Sequence, residues 1–362
     1  MAADPAYLDH NATTPPFPQV IELVAEVMAE AGNPSAVYAQ GRRATQRLET
    51  ARRQVAALSK ARARDVIFFG SATEANATLI QHFSAIPFLR PDTEHDAVLA
   101  ARSGQTLALN SQGTVDLDLL AARLAQQEDP ILLAIMAANN ETGVVSDLSG
   151  IAALLKDARA QGLDLHYHID AVQAPGKLPI DFAAWGCDSL ALSAHKFGGP
   201  QGVGALITRP GFDLRPLIRG GGQERRRRAG TENVAGIAGF GLACDLVSQG
   251  TSTLRDRLEA GLLTANPEAT IVGKAAPRLP NTTCLLTPGK AAETLLMQFD
   301  LAGVALSSGS ACSSGKIGKS HVLAAMGLAP EISKSALRFS CGPKTTVDEV
   351  DRAIKVYGEA CR

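Results

Sequence analysis

Cysteine pairs are missing. Six cysteines lie scattered at 187, 244, 284, 312, 341 and 361 of 362 residues, and none forms a Cys-x-x-Cys pair. That spacing excludes a zinc ribbon and argues against a disulfide framework in a chain of this length. Charge of one sign is missing too. The formal net charge is −1, which gives no global drive toward nucleic acid or an anionic membrane. No apolar run approaches the ~18 residues that a bilayer span needs. The opening Met1-Ala2-Ala3-Asp4-Pro5 has no basic or apolar targeting region, so no signal peptide is expected. These absences lead to an expectation of a cytoplasmic protein with reduced thiols and no nucleic-acid or membrane partner.

What remains is an ordinary globular balance, 46% hydrophobic and 20% charged, with length for roughly two domains. Turn formers fill residues 7–16, expected as an extended arm. A helix is expected from Pro18, with Val20, Leu23, Val24, Val27 and Met28 on one face and Gly32 as its stop. A longer helix is expected over 41–59. Buried strands are expected at 66–69 and 131–136, and His95 is read as standing just before a strand at 97–100. Helices are expected at 116–126 and 150–161, and another from about Glu232. Such alternation implies an α/β fold, with a mostly parallel central sheet covered by helices on both faces. Beyond about residue 250 the pattern changes. Strands at 269–272, 282–286 and 337–340 alternate with helices near 291–299, 320–326 and 347–358. The expected division is a large domain over 16–250 and a smaller α+β domain from 1–15 and 251–362.

The chain is organised around residues 170–196. Two apolar, strand-like runs end on Asp170 and just before Lys196, and ligands of open α/β sheets gather at the carboxyl ends of strands. A lysine beside glycines and an acid suit pyridoxal phosphate, one as Schiff-base amine and the other as partner of the pyridinium nitrogen. Both could equally be surface groups. Gly70-Ser71-Ala72-Thr73-Glu74 joins a strand to a helix and suits either a phosphate at the helix N-terminus or a simple N-cap. It has no Gly-Lys-Ser/Thr of a nucleotide-binding loop. Asn139-Asn140-Glu141-Thr142-Gly143 reads as a turn or as an amide offered to a bound ring.

Arg225-Arg226-Arg227-Arg228 lacks the interleaved aromatics that stack on bases, which disfavours nucleic acid against a phosphate or subunit contact. Cys312 lies among small hydroxylated residues, Ser307-Ser308-Gly309-Ser310-Ala311 before it and Ser313-Ser314-Gly315 after it. Such a loop is expected to move and to present a nucleophilic thiol, with Lys316 and Lys319 favouring the thiolate. The other five cysteines are expected to be structural. Arg338 offers a fork to a substrate carboxylate, or a surface salt bridge.

Taken together these pieces resemble the cysteine desulfurases, in the group typified by the nitrogen-fixation and housekeeping iron–sulfur enzymes. Tyr7-Leu8-Asp9 with Ala12-Thr13-Thr14, Asn33-Pro34-Ser35, Ala72-Thr73-Glu74, Thr93-Glu94-His95, Asn139-Asn140-Glu141, Asp170-Ala171-Val172-Gln173, Ser193-Ala194-His195-Lys196, Arg228-Ala229-Gly230-Thr231 and the Cys312 loop occur in that family's order. The resemblance spans nearly the whole chain. It implies a fold-type I enzyme carrying pyridoxal 5′-phosphate, usually a homodimer with its sites at the subunit interface. Lys196 would hold the cofactor, Asp170 would protonate its ring nitrogen, and His95 would stack on the ring and shuttle protons. Asn140 and Gln173 would meet the ring oxygen. Ala72, Thr73, Ser193 and His195 would hold the phosphate, with Thr231 added from the second subunit. Arg338, with Asn140, would bind the substrate.

The implied reaction takes sulfur from L-cysteine, giving L-alanine and a persulfide on Cys312. The sulfur then passes to an iron–sulfur scaffold or another acceptor, nitrogenase clusters being one destination. Cys312 would thereby become a transient iron–sulfur ligand. The alternatives are a selenocysteine or cystine lyase and a non-catalytic sulfur-relay subunit. Ser71, Ala77 and Tyr38 depart from the family's common glycine, asparagine and histidine, without removing any of these groups.

Overall fold

A computed structural model describes residues 5–309 and 319–362. Among them, seven strands form one sheet in the order Val66–Phe69, Gly204–Thr208, Ser189–Ser193, Leu165–Asp170, Ile131–Ala134, Phe88–Pro91, Gln105–Leu107. Only Gly204–Thr208 runs antiparallel to its neighbours; the rest of the pairings are parallel. The central strands are buried along their length, which is why Ile131–Ala134 reads as a continuous apolar run rather than an alternating one.

Helices cover the sheet, and polar residues set where they start. Ser71, Asp116 and Asp147 cap Ala72–His82, Leu117–Ala125 and Leu148–Ala160 by accepting a backbone N–H from the first turn. Helix Ala39–Ser59 packs on Val234–Leu246 through Gly241, where an added Cβ would come within 2.5 Å of the Ala51 backbone. The edge strand Val66–Phe69 is sealed by a buried ion pair. Arg52 donates to the Val66 carbonyl, and the Glu224 carboxylate accepts from the Phe68 N–H while pairing with Arg52 at 2.8 Å. Glu224, Arg225 and Arg226 all have positive φ. The arginine run is tied down: Arg225 and Arg227 donate to the Arg64 carbonyl, and Arg228 pairs with Glu74 at 2.8 Å.

The C-terminal part carries a four-stranded antiparallel sheet, Ser307–Ser308, Leu337–Ser340, Thr282–Leu286, Thr270–Ile271. Helix Val347–Cys361 opens on a capping box between Thr346 and Glu349. The N-terminal arm joins this part: Ala6–Tyr7 pairs in parallel with Val304–Ala305, and Ala6 and Leu8 pack in one core with Leu258, Phe299 and Tyr357.

Several expectations are corrected. Residues 97–100 are not a strand; His95 is the N-cap of the short helix Asp96–Leu99, accepting from the Ala97 N–H. A four-residue apolar run carries no readable period, and the cap decides. Helix Pro18–Ala29 ends before Gly32, and Met28 is exposed. No described helix is long and apolar enough to cross a membrane.

Candidate active site

The parallel pairing of Leu165–Asp170 with Ser189–Ser193 sets Asp170 opposite Ala191. The chain then turns through Ala194–Lys196. Asp170 and Lys196 therefore meet at the carboxyl edge of the sheet, around a cavity of about 320 Å³. Asp170 is buried; its Oδ2 accepts from Asn76 Nδ2 at 2.7 Å and its Oδ1 from the Val172 N–H at 3.0 Å. Lys196 Nζ donates to the carbonyls of Asn11 and Ala12, each at 2.8 Å.

Helix Ala72–His82 points its N-terminus into the same cavity, which Ser71, Ala72 and Thr73 line. Its first-turn N–H groups have no intrahelical partner and favour an anion. Gly204 permits the approach: a Cβ there would lie 2.6 Å from the Ala72 nitrogen. His95 also lines the cavity, and its Nδ1 accepts from Ala97. A neutral ring bonded in that way carries its proton on Nε2. Burial, then the Lys196 charge, holds His195 down to about 4, so it is neutral at pH 7.

Arg338 enters from the second sheet, on Leu337–Ser340, and is buried. Nη2 bonds Asp9 at 2.6 Å and Nη1 the Asn140 carbonyl at 3.2 Å, whereas buried Nε has no partner among the described residues. The alternative of a surface salt bridge is corrected by this burial. Ala72, Thr73, His95, Asn140, Asp170, Gln173, Ser193, His195, Lys196 and Arg338 all line one cavity. The Gln173 amide is already engaged, donating to the Asn11 carbonyl and accepting from Lys177. Thr231 is exposed and stands outside the lining.

Cys312 and Lys316 lie outside the described residues; Lys319 is exposed. Of the five described cysteines, Cys187, Cys244, Cys284 and Cys341 are buried. Burial pushes the Cys284 and Cys341 thiols up to about 12 and raises Cys187 and Cys244 as well. All four are poor thiolates at neutral pH.

Sequence reasoning missed Asn11, Asn76 and Lys177. Asn11 is buried; its carbonyl serves Lys196 and Gln173, and its Oδ1 accepts from Lys177 Nζ at 3.1 Å. Burial first, then the charges of Lys196 and Arg338, brings Lys177 down to about 7. Only Asn76 had a legible signal. It follows Ala72 by one helical turn, so both face the same way.

The class-V aminotransferase family model matches residues 6–353. A cysteine desulfurase of Cereibacter sphaeroides is 41% identical over 368 residues, covering 97% of this chain and 94% of its own. Among solved structures, a NifS-like protein from Rickettsia africae superposes with a TM-score of 0.90 at 36% identity, covering 98% of this chain and 99% of its own. A second, SspA in complex with cysteine, gives 0.81 at 25% identity over 94% of this chain and 100% of its own.

Proposed function

We propose that this chain, which belongs to the class-V aminotransferase family, is a cysteine desulfurase that takes sulfur from L-cysteine and holds it on Cys312. The observation that carries the reading is the convergence of Lys196, Asp170 and the helix N-terminus at Ala72 on one cavity. Those are an amine, a carboxylate and an anion cradle, the donor set that pyridoxal 5′-phosphate requires. Lys196 would hold the cofactor covalently through Nζ, and Asp170 would pair with its ring nitrogen. Ala72, Thr73, Ser193 and His195 would meet its phosphate, and Asn140 and Gln173 its ring oxygen. When bound, the cofactor supplies an electron sink for the carbon next to the substrate's amino group.

The chain's own groups do the rest. Arg338 lines the cavity and would bind the substrate carboxylate, its guanidinium oriented by the bonds to Asp9 and the Asn140 carbonyl. His95 would stack on the ring and serve the proton transfers, its ring oriented by the Ala97 N–H bond to Nδ1. The Cys312 thiolate attacks the sulfur of L-cysteine. The carbon–sulfur bond breaks, a sulfur–sulfur bond forms, and the carbon fragment keeps the electron pair, takes a proton and leaves as L-alanine. The buried, high-pKa state of Cys187, Cys244, Cys284 and Cys341 supports Cys312 in this role.

The same reading includes a cytoplasmic homodimer in which Thr231 of one protomer serves the other's site. Exposed Ile21, Met28, Val37 and Tyr38 support a subunit contact. It divides the chain into 16–250 and 1–15 with 251–362, in line with the separate cores and the arm's pairing at Val304. The sulfur acceptor in this reading is an iron–sulfur scaffold.

The test is alanine formed from L-cysteine by the cofactor-loaded protein, beside Cys312→Ser and Lys196→Ala. Alanine from the wild type alone, with sulfur trapped on Cys312, is the expected result. Alanine persisting in Cys312→Ser would remove that residue as acceptor, and none from the wild type would remove the activity.

A further inference from the structure

Behind Asp170 lies a row of buried polar side chains that the reaction itself does not use. Asn76, His168 and Ser189 are wholly buried and His166 nearly so. Asn76 Nδ2 reaches Asp170 Oδ2 at 2.7 Å, and Asn76 Oδ1 meets His168 Nε2 at 2.9 Å. His168 Nδ1 meets Ser189 Oγ at 2.9 Å, and the same Oγ meets His166 Nε2 at 2.8 Å.

The chemistry of each group fixes the direction of these bonds. An ionised carboxylate can only accept, so Asn76 donates through its NH₂ and presents its oxygen to His168. That oxygen can only accept, so His168 donates from Nε2. Burial holds His168 down to about 3, so the ring is neutral and its Nδ1 must accept. Ser189 therefore donates its only O–H to Nδ1 and accepts from His166 Nε2–H. Every donor points toward Asp170. Aligned bonds polarise one another, so the last one, onto the carboxylate, is strengthened by those behind it. The other ionisable groups near Asp170 are Glu94 and, around the cavity, His95, His195, Lys196 and Arg338.

We propose that His166, Ser189, His168 and Asn76 form a one-way donor chain that holds the Asp170 carboxylate aimed at the cofactor's ring nitrogen. They are positioning residues, and the inference rests on the cofactor reading above. The Asp170 carboxylate, so held, would favour a proton on the ring nitrogen. That positive charge repels a proton on the nitrogen of Lys196 once it is joined to the cofactor. Weakening the chain should therefore let the Lys196 nitrogen hold its proton to higher pH.

Ser189→Ala cuts the chain at a link that lines no part of the cavity. The measurements are uptake of pyridoxal 5′-phosphate by the apoprotein and the pH midpoint of the bound cofactor's visible band. Ser189→Ala should bind roughly 2–3-fold more weakly, the scale of the cooperative strengthening it removes from the bond onto Asp170. Its midpoint should rise by roughly 0.1–0.5 unit, the cooperative share that the lost bonds add to the one on the carboxylate. Ser189→Thr, with the hydroxyl restored, should return both values. His166→Phe removes only the first donor and keeps a ring between Phe83 and Phe212. It should move the midpoint the same way by less, and it serves if Ser189→Ala folds poorly. Variants with lower melting temperatures but wild-type midpoints and affinity would overturn the chain alone. A wild type that takes up no cofactor would overturn the chain together with the cofactor reading.

Discussion

Glu94 shows how one buried carboxyl can give the molecule a pH profile. It is wholly buried, with Oε1 accepting from the Met136 N–H and Oε2 without a partner among the described residues. Burial, and secondarily the charge of Asp170, push it from 4.5 up to about 8. Between those values the folded chain holds a proton that the unfolded chain has released, so stability falls as pH rises through that window. Glu94→Gln keeps an acceptor for Met136 and cannot ionise. Its melting temperature should match the wild type near pH 4.5 and gain on it progressively up to pH 8. A difference that stays flat across that range would show that Glu94 does not hold its proton. Lys177 carries the opposite sign. Lowered from 10.5 to about 7, it costs the fold most below pH 7 and the cost is relieved as pH rises toward 10.5.

At the scale of elements, the helix beginning at Ala72 does the positioning, and Gly204 on the neighbouring strand lets it come close enough. Gly204→Ala would drive a Cβ against the Ala72 nitrogen and the Ser71 carbonyl carbon, 2.6 Å from each. Helix and strand would have to part, misaligning the free N–H groups. A partly buried charge at a helix terminus is worth up to ~2 kcal/mol, so affinity for pyridoxal 5′-phosphate should fall ~10-fold or more. Unchanged uptake by the apoprotein would mean that the phosphate is held elsewhere. This element was legible because a strand, small residues and a cap occur in order at 66–74. Phe88–Pro91, Gln105–Leu107 and Gly204–Thr208 were not: they are short, or carry Arg and Pro, or follow a glycine-rich loop, and only sheet pairing makes them strands. The site residues that sequence found sit in compact motifs at strand ends. Those it missed, such as Asn11 and Lys177, act through buried hydrogen bonds between distant segments, which leave no local pattern.

Over the whole molecule, one arm residue holds the two parts to the same site. Asn11 Nδ2 donates to the Asn140 carbonyl at 3.1 Å and to Thr282 Oγ1 at 2.9 Å, while its Oδ1 accepts from Lys177 and Asn281. Asn140 and Lys177 belong to the loops above the large sheet, and Thr282 begins a strand of the smaller one. Asn11→Ala would strip partners from both at once. Leaving buried donors and acceptors unmatched costs ~1–3 kcal/mol each, and shared networks do not add fully, so a total near ~2–4 kcal/mol is expected. The distinctive outcome is where the loss spreads. Amide exchange should quicken both in Leu165–Asp170 and in Thr282–Leu286, because the node serves the cavity edge of each. Quickening confined to one strand would mean that Asn11 is a local support, and that the Arg338 bond to the Asn140 carbonyl and the Thr14 bonds to the His195 and Lys196 carbonyls carry the linkage instead.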